Sequence, residues 1–237
     1  MKVRIKFAKE GVMKFIGHLD IMRYFQKAIR RAEIDIAFSE GFSPHMIMSF
    51  ASPLGVGTTS TGEYFDIELR TPVSSAEAVK RLNAVMADGM RVLSFRQVAD
   101  GKSSNAMAIV AAAEYTVHFR DGYAPADGWQ EKLAEFAKLS EIKVLKKTKK
   151  NEVETNIRPM IYELSTDKDQ IHMLLASGSA ANLKPDLVMS AFADYLETEL
   201  PEIALLVHRN ELYADIGTDG QRRLVSLEDL GEEITLS

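Results

Sequence analysis

Cysteine is absent from the 237 residues. That excludes disulfides, thiolate zinc sites, a cysteine nucleophile and iron–sulfur ligation by this chain. Tryptophan occurs once, at Trp129, on a helical segment where core packing explains it. No long apolar run is present. The low-charge stretch Ser103–Ala113 is too short and too rich in Ala and Ser to be a transmembrane helix. The opening MKVRIKFAKE alternates charge with hydrophobe and reads as a strand rather than a signal peptide. A cytoplasmic protein with no membrane contact is the expectation. There is no HExxH, and the histidines at 18, 45, 118, 172 and 208 lack ligand spacing, so no metal is expected. Gly101-Lys102-Ser103 ends like a Walker A motif, but residue 96 is Arg96 where the first glycine should stand. A P-loop is thereby excluded, and no cofactor is expected.

What is present is an ordinary globular composition, 46% hydrophobic and 27% charged. The net charge of −5 argues against a generally sticky nucleic-acid binder, but it averages a gradient. Residues 1–50 carry nine Lys/Arg against five Asp/Glu, and residues 197–237 carry three against ten. A polarised molecule can still offer one basic face.

Along the chain, Lys2–Lys9 alternates Val3, Ile5 and Phe7 with Lys2, Arg4 and Lys6, the pattern of a half-buried strand. A helix follows over 17–32. Helical spacing gathers Ile21, Phe25, Ala28 and Ile29 on one face and Arg23, Lys27, Arg30 and Arg31 on the other. Short strands at 34–39 and 46–51 flank a loop. A glycine-rich loop over 53–62, a strand at 63–70, a helix from Ser74/Ser75 to about Asp88 and a strand at 90–98 complete a β–α–β–β–α–β order. After a linker at 101–105 the order recurs. Strands are expected at 109–120, 142–147, 155–166, 170–176 and 204–214, with helices at 129–139 and 184–197. The expected fold is α+β: two tandem ferredoxin-like modules with antiparallel sheets, over 1–100 and 107–215, then an acidic tail at 216–237.

Candidate functional residues cluster between Gly17 and Gly57. His18 opens the first helix and has the chemistry of a general acid or base, but helical phasing sets it beside Phe25 and Ile29, which favours a packed ring. Arg23, Lys27, Arg30 and Arg31 suit phosphates or an acidic partner, and equally a solvated helix face. The loop Ser39-Glu-Gly-Phe-Ser-Pro-His45 offers Phe42 and His45 for stacking. Ser39 and His45 are the elements of a nucleophile and base, but no G-x-S-x-G elbow accompanies them. Lys143, Lys146, Lys147, Lys149 and Lys150, with Arg158 beyond, form a basic hairpin that can hold RNA or an acidic protein. Lysines at a hairpin tip also block edge pairing.

The first 70 residues resemble the radical-SAM-linked family of bacterial proteins, whose function is not established. The resemblance is carried by Gly17-His18-Leu19-Asp20, Met22-Arg23, Ala28-Ile29-Arg30-Arg31-Ala32 and Ser39 through His45. Ser49-Phe50-Ala51, Pro53 through Gly57 and Gly62-Glu63-Tyr64 continue it. Asn156-Ile157-Arg158-Pro159 is a further similar point. It implies a radical SAM protein as partner, which would carry the cluster that a chain without cysteine cannot ligate. The tandem order is also similar to the RNA-processing proteins of CRISPR systems, though without their glycine-rich C-terminal loop. The expected function is therefore a non-catalytic accessory protein that binds RNA or a macromolecular substrate for a radical SAM partner. The alternatives are a metal-independent endoribonuclease using His18 or His45, and a pure protein–protein adaptor.

Overall fold

A computed structural model describes residues 1–101, 103–147, 152–201 and 203–236, with backbone alone at 146, 147 and 152. The chain is mixed α+β, with a large, mostly antiparallel sheet and five α-helices among the described residues. It divides into two compact units, residues 1–111 with 209–237, and residues 112–208.

In the first unit, β1 (Lys2–Lys9) is followed by a 3-10 helix (Gly11–Phe15), α1 (His18–Arg31), β2 (Met48–Phe50), β3 (Thr59–Glu68), α2 (Ser75–Asn83), β4 (Met90–Gln97) and the short α3 (Ala106–Ile109). β1 lies between β4 and β3, antiparallel to both, and β2 pairs antiparallel with β3 through Phe50↔Phe65. The expected strand at 34–39 is reduced to two isolated bridges, Ile36↔Leu69 and Phe38↔Met46. α2 stops earlier than its periodicity suggests. At its last residue the Asn83 side chain bonds both backbone groups of Val92 on β4, at 2.8 and 2.9 Å, and ties the helix end to the sheet.

The core of this unit lies between sheet and helices. Val3, Ile5 and Phe7 of β1 and Phe65 and Ile67 of β3 meet Ile21, Phe25 and Ile29 of α1 and Leu82 of α2, all nearly inaccessible. Phe7, Phe25, Phe50 and Phe65 pack ring to ring at 4.6–6.2 Å, geometry in which edge and offset contacts are favourable.

β1 is not half-buried. Only Lys6 keeps partial exposure, and Lys2, Arg4 and Lys9 are buried. The sheet's second face is covered by the linker and the C-terminal segment. That segment, expected as an acidic tail, is ordered: β10 (Leu205–Asp215) leads to β11 (Leu224–Ser226), a 3-10 turn (Glu228–Leu230) and β12 (Glu232–Glu233), which pairs with β4. Gly62 allows the return of β10: a Cβ there would overlap the Asn210 carbonyl and Glu211 Cα.

The second unit holds most of β5 (Val110–Phe119), with α4 (Trp129–Phe136), β6 (Lys143–Lys147), β7 (Glu152–Asn156), β8 (Ile161–Asp167), β9 (Gln170–Ala176), α5 (Pro185–Tyr195) and the first residues of β10. Its strand order is β10-β5-β9-β8, while β6 and β7 form a separate hairpin. The single strand expected at 155–166 is broken by a 3-10 turn at Arg158–Met160, because Pro159 has no N–H for a ladder. Trp129 is buried against Phe119, and Phe136 against Phe192.

Candidate functional site

The charged residues of the first unit fall into two sets with opposite surroundings. On the covered face of the sheet, Arg4 meets Asp66 through two contacts at 2.8 and 3.1 Å, and both side chains are about 97% removed from solvent. The Arg4 guanidinium also donates to the Ser104 and Leu227 carbonyls, and Asp66 accepts from the Ala106 N–H. Arg209 holds Glu63 and the Ser52 carbonyl. Lys6 bridges Glu211 at 2.7 Å and Glu228 at 2.8 Å. Burial works against the Lys6 cation most strongly, yet the bonds and charges of Glu211 and Glu228 outweigh it and raise its pKa. For Glu228, burial pushes upward, but Lys6, Ser94 and Arg96 together lower it. Burial raises the Tyr64 phenol strongly, reinforced by Glu211, to which its hydroxyl donates at 2.6 Å. With the Arg4, Lys6 and Arg209 cations each held by a carboxylate, such a network favours one arrangement of the segments it joins.

Lys9 is buried as well, and its ammonium donates to the Ile16 carbonyl at 2.9 Å. Burial lowers its pKa, opposed by Glu63 and aided by Arg209. Its contacts fasten the segment before α1 to the sheet.

The second set is exposed. Arg23, Lys27 and Arg30 project from the outer face of α1. Arg23 pairs with Asp20 at 3.3 Å, where both side chains are open to water. Such pairs contribute about 0–1 kcal/mol. Lys27 and Arg30 have no ion pair among the described residues. Arg31 is exposed too, but its guanidinium donates to the Val85 carbonyl at 3.1 Å.

His18 packs edge-on against Phe50, 5.2 Å between ring centres. Helical phasing anticipated this side. Ser39 and His45 close the neck of the loop between them. The Ser39 Oγ accepts from the His45 backbone N–H at 3.1 Å and lies 2.8 Å from Nδ1, a contact whose donor is set by the imidazole tautomer. The Ser39 N–H donates to the His45 carbonyl. Gly41 has φ +106°, a turn that other residues rarely adopt, and Phe42 beyond it is fully exposed. Beside this loop opens a cleft of about 530 Å³, lined by His45, Met48, Ser49, Glu68, Asp100 and Asn105 among others. No pattern in the sequence announced it, because its walls come from β2, β3 and the linker.

In the second unit, the basic hairpin is partly neutralised. Lys143 contacts Glu154 at 3.3 Å and Glu141 at 3.7 Å. Lys147 ends β6 opposite Glu152, and Lys149 and Lys150 lie outside the described residues. Arg158 donates to the Leu139 and Ile161 carbonyls, at 3.0 and 2.8 Å. Its guanidinium thereby ties the 3-10 turn to the end of α4. The α1 cations and the hairpin belong to different units.

Among the described residues no group of three or more His, Asp or Glu is placed to hold a metal ion, and no helix is long and apolar enough to cross a membrane. The first unit is thus defined by an α+β sheet with a charged, covered face and a helix whose cations face water. The chain belongs to a bacterial family described as "Uncharacterized protein conserved in bacteria (DUF2344)", whose model matches residues 2–185. No curated protein matches it. A chain in the crystal structure of a Cbf5-Nop10-Gar1 complex is similar, at 10% identity and a TM-score of 0.46, over 89% of this chain and 48% of that one. This chain therefore spans about half the length of that protein.

Proposed function

We propose that this chain is an accessory protein without a catalytic centre of its own, which holds an anionic macromolecule, RNA or an acidic protein, for a radical SAM partner. The observation that carries the reading is the outer face of α1, where Arg23, Lys27 and Arg30 are exposed and, among the described residues, Asp20 alone pairs with one of them. A chain of net charge −5 that buries most cations of β1 in ion pairs leaves these in water. The radical SAM partner is supported by the resemblance over residues 1–70 and by the absence of cysteine, which puts any cluster on another polypeptide. Two tandem ferredoxin-like modules are the architecture we propose. The strand orders β4-β1-β3-β2 and β10-β5-β9-β8, each with one helix after its first strand and one after its third, support it.

The test is binding to heparin, a generic polyanion, and to a fluorescent 20-nucleotide single-stranded RNA over a range of salt. Arg23→Glu/Lys27→Glu/Arg30→Glu should abolish heparin retention. Any RNA binding should lose a salt slope of roughly two, at about 0.7 per phosphate contact on single strands. Unchanged retention by the triple variant refutes the reading.

The contact between Ser39 Oγ and His45 Nδ1 favours one second reading, a metal-independent endoribonuclease with His45 as base. Nothing among the described residues holds its other ring nitrogen, and His18 is packed on Phe50. RNA cleavage lost in His45→Ala would establish this alternative. Cleavage that persists there and in His18→Ala would exclude this mechanism.

A further inference from the structure

Four large apolar side chains of the first unit stand in water on two stretches of chain, 12–19 and 56, joined by a backbone hydrogen bond. Val12 is 76% exposed, Phe15 65%, Leu19 66% and Val56 64%. Val12 and Phe15 are three apart on the 3-10 helix, where side chains at that spacing eclipse and leave on the same side. Leu19 follows in the first turn of α1. Val56 is brought alongside because the neighbouring Gly57 N–H donates to the Lys14 carbonyl at 2.8 Å. One exposed aliphatic residue is ordinary, whereas an adjoining set marks an interaction site.

The patch runs directly into the cations. Leu19 shares the outer face of α1 with Arg23, Lys27 and Arg30, all within a sector of about 80° at 100° per residue. Leu19 and Arg30 are separated by about 16 Å along the helix. At the patch itself the Lys14 ammonium lies 5.2 Å from the centre of the Phe15 ring. The surface is thus a strip with an apolar head and a cationic track.

We infer that this strip docks an acidic polypeptide segment, with aliphatic or aromatic anchors seated at Val12, Phe15, Leu19 and Val56 and carboxylates along Arg23, Lys27 and Arg30. The inference rests on the reading that α1 takes an anionic macromolecule, and it names which kind. Charge complementarity requires acid in the occupant. The apolar head selects polypeptide over RNA, because a single-strand groove is built from cations and several stacking rings, and of these four side chains only Phe15 can stack a base. The linear track matches a segment laid along the helix, the geometry of anchor-and-groove recognition.

The experiment selects random 16-residue peptides displayed on phage against the full chain, then measures the selected peptides, the 20-nucleotide RNA and vesicles of 70% phosphatidylcholine and 30% phosphatidylserine. Three proteins are compared: wild type, Phe15→Asp/Leu19→Asp, and Arg23→Glu/Lys27→Glu/Arg30→Glu. All substituted side chains are exposed, and circular dichroism checks that each variant folds. Selected peptides should be rich in Asp and Glu with Phe, Trp or Leu, and should bind both variants at least tenfold more weakly. RNA, where it binds, should respond only to the charge variant. Failure to select any peptide, selection of peptides without acids, or indifference to Phe15→Asp/Leu19→Asp overturns the inference. So does vesicle binding, or wild-type dimerisation in sedimentation, that the apolar variant abolishes. If the charge variant changes no ligand at all, the underlying anionic reading fails. If only the apolar variant is silent, the inference alone fails.

Discussion

The cations of β1 and those of α1 all lie within the first 30 residues and meet opposite fates. Lys2, Arg4 and Lys6 occupy one polar face of a strand, Arg23, Lys27 and Arg30 one polar face of a helix. The first set is covered and paired with Asp66, Glu211 and Glu228. The second is open. Amphipathic periodicity tells which residues share a face. It does not tell whether a later segment closes over that face, and here residues 209–237 do so for the sheet of their own unit.

The sharpest break in this comparison is Asp66→Ala. It leaves Arg4 buried without its carboxylate, and the denaturant midpoint should fall by the equivalent of about 3–5 kcal/mol. Arg4→Met/Asp66→Leu should cost less than Asp66→Ala alone, since removing both charges strands neither. Equal losses would mean that packing, and not the unpaired charge, sets the cost. Gly62→Ala comes next, at about 1–3 kcal/mol, because the added methyl group forces β3 away from Asn210 and Glu211.

The acid limb of the stability–pH profile separates the two sets further. Glu228 has a lowered pKa when folded, so its contribution is present above its ordinary value of 4.5 and is lost as pH falls through the folded value. Lys6 is raised, so its contribution is full below 10.5 and disappears as pH rises through its folded value. Urea midpoints should fall below pH 4.5, and Glu228→Gln should flatten that limb. An unchanged limb would place the titration elsewhere.

His45→Ala removes the Ser39 contact at an exposed neck, for about 0.5–1.5 kcal/mol. Smallest per residue is the effect of Arg23→Glu/Lys27→Glu/Arg30→Glu on stability. It should stay within about 0.5 kcal/mol per site while polyanion binding is lost. A large drop in thermal midpoint would show that these cations support the fold.

Much of the element order was legible because the apolar spacing was regular. The α1 boundaries, β1, β4, β9 and the turn to α5 at Pro185 lie within a residue or two of expectation. The misread places have local physical causes. The helix from Ser75 ends at Asn83, whose side chain is tied to Val92, Pro159 splits a strand, and residues 34–39 find only single bridges. At the candidate site, the outward cations of α1 and the inward His18 followed from helical phase. Phe15 and Val56 were not picked out, since an exposed hydrophobe looks like a core residue until its surroundings are known. Arg158 reads as a ligand-binding cation, but its carbonyl partners at 139 and 161 are set by the chain's return.

The sequence by itself determined the α+β class, the apolar faces that pack into each core, and the exclusion of thiolate chemistry, because these follow from residue type and short-range period. Only the tertiary structure decided which charges are buried and which meet water. That depends on segments far apart in sequence, Arg4 with Asp66 and Leu227, Lys6 with Glu228, coming together at distances that no local pattern encodes.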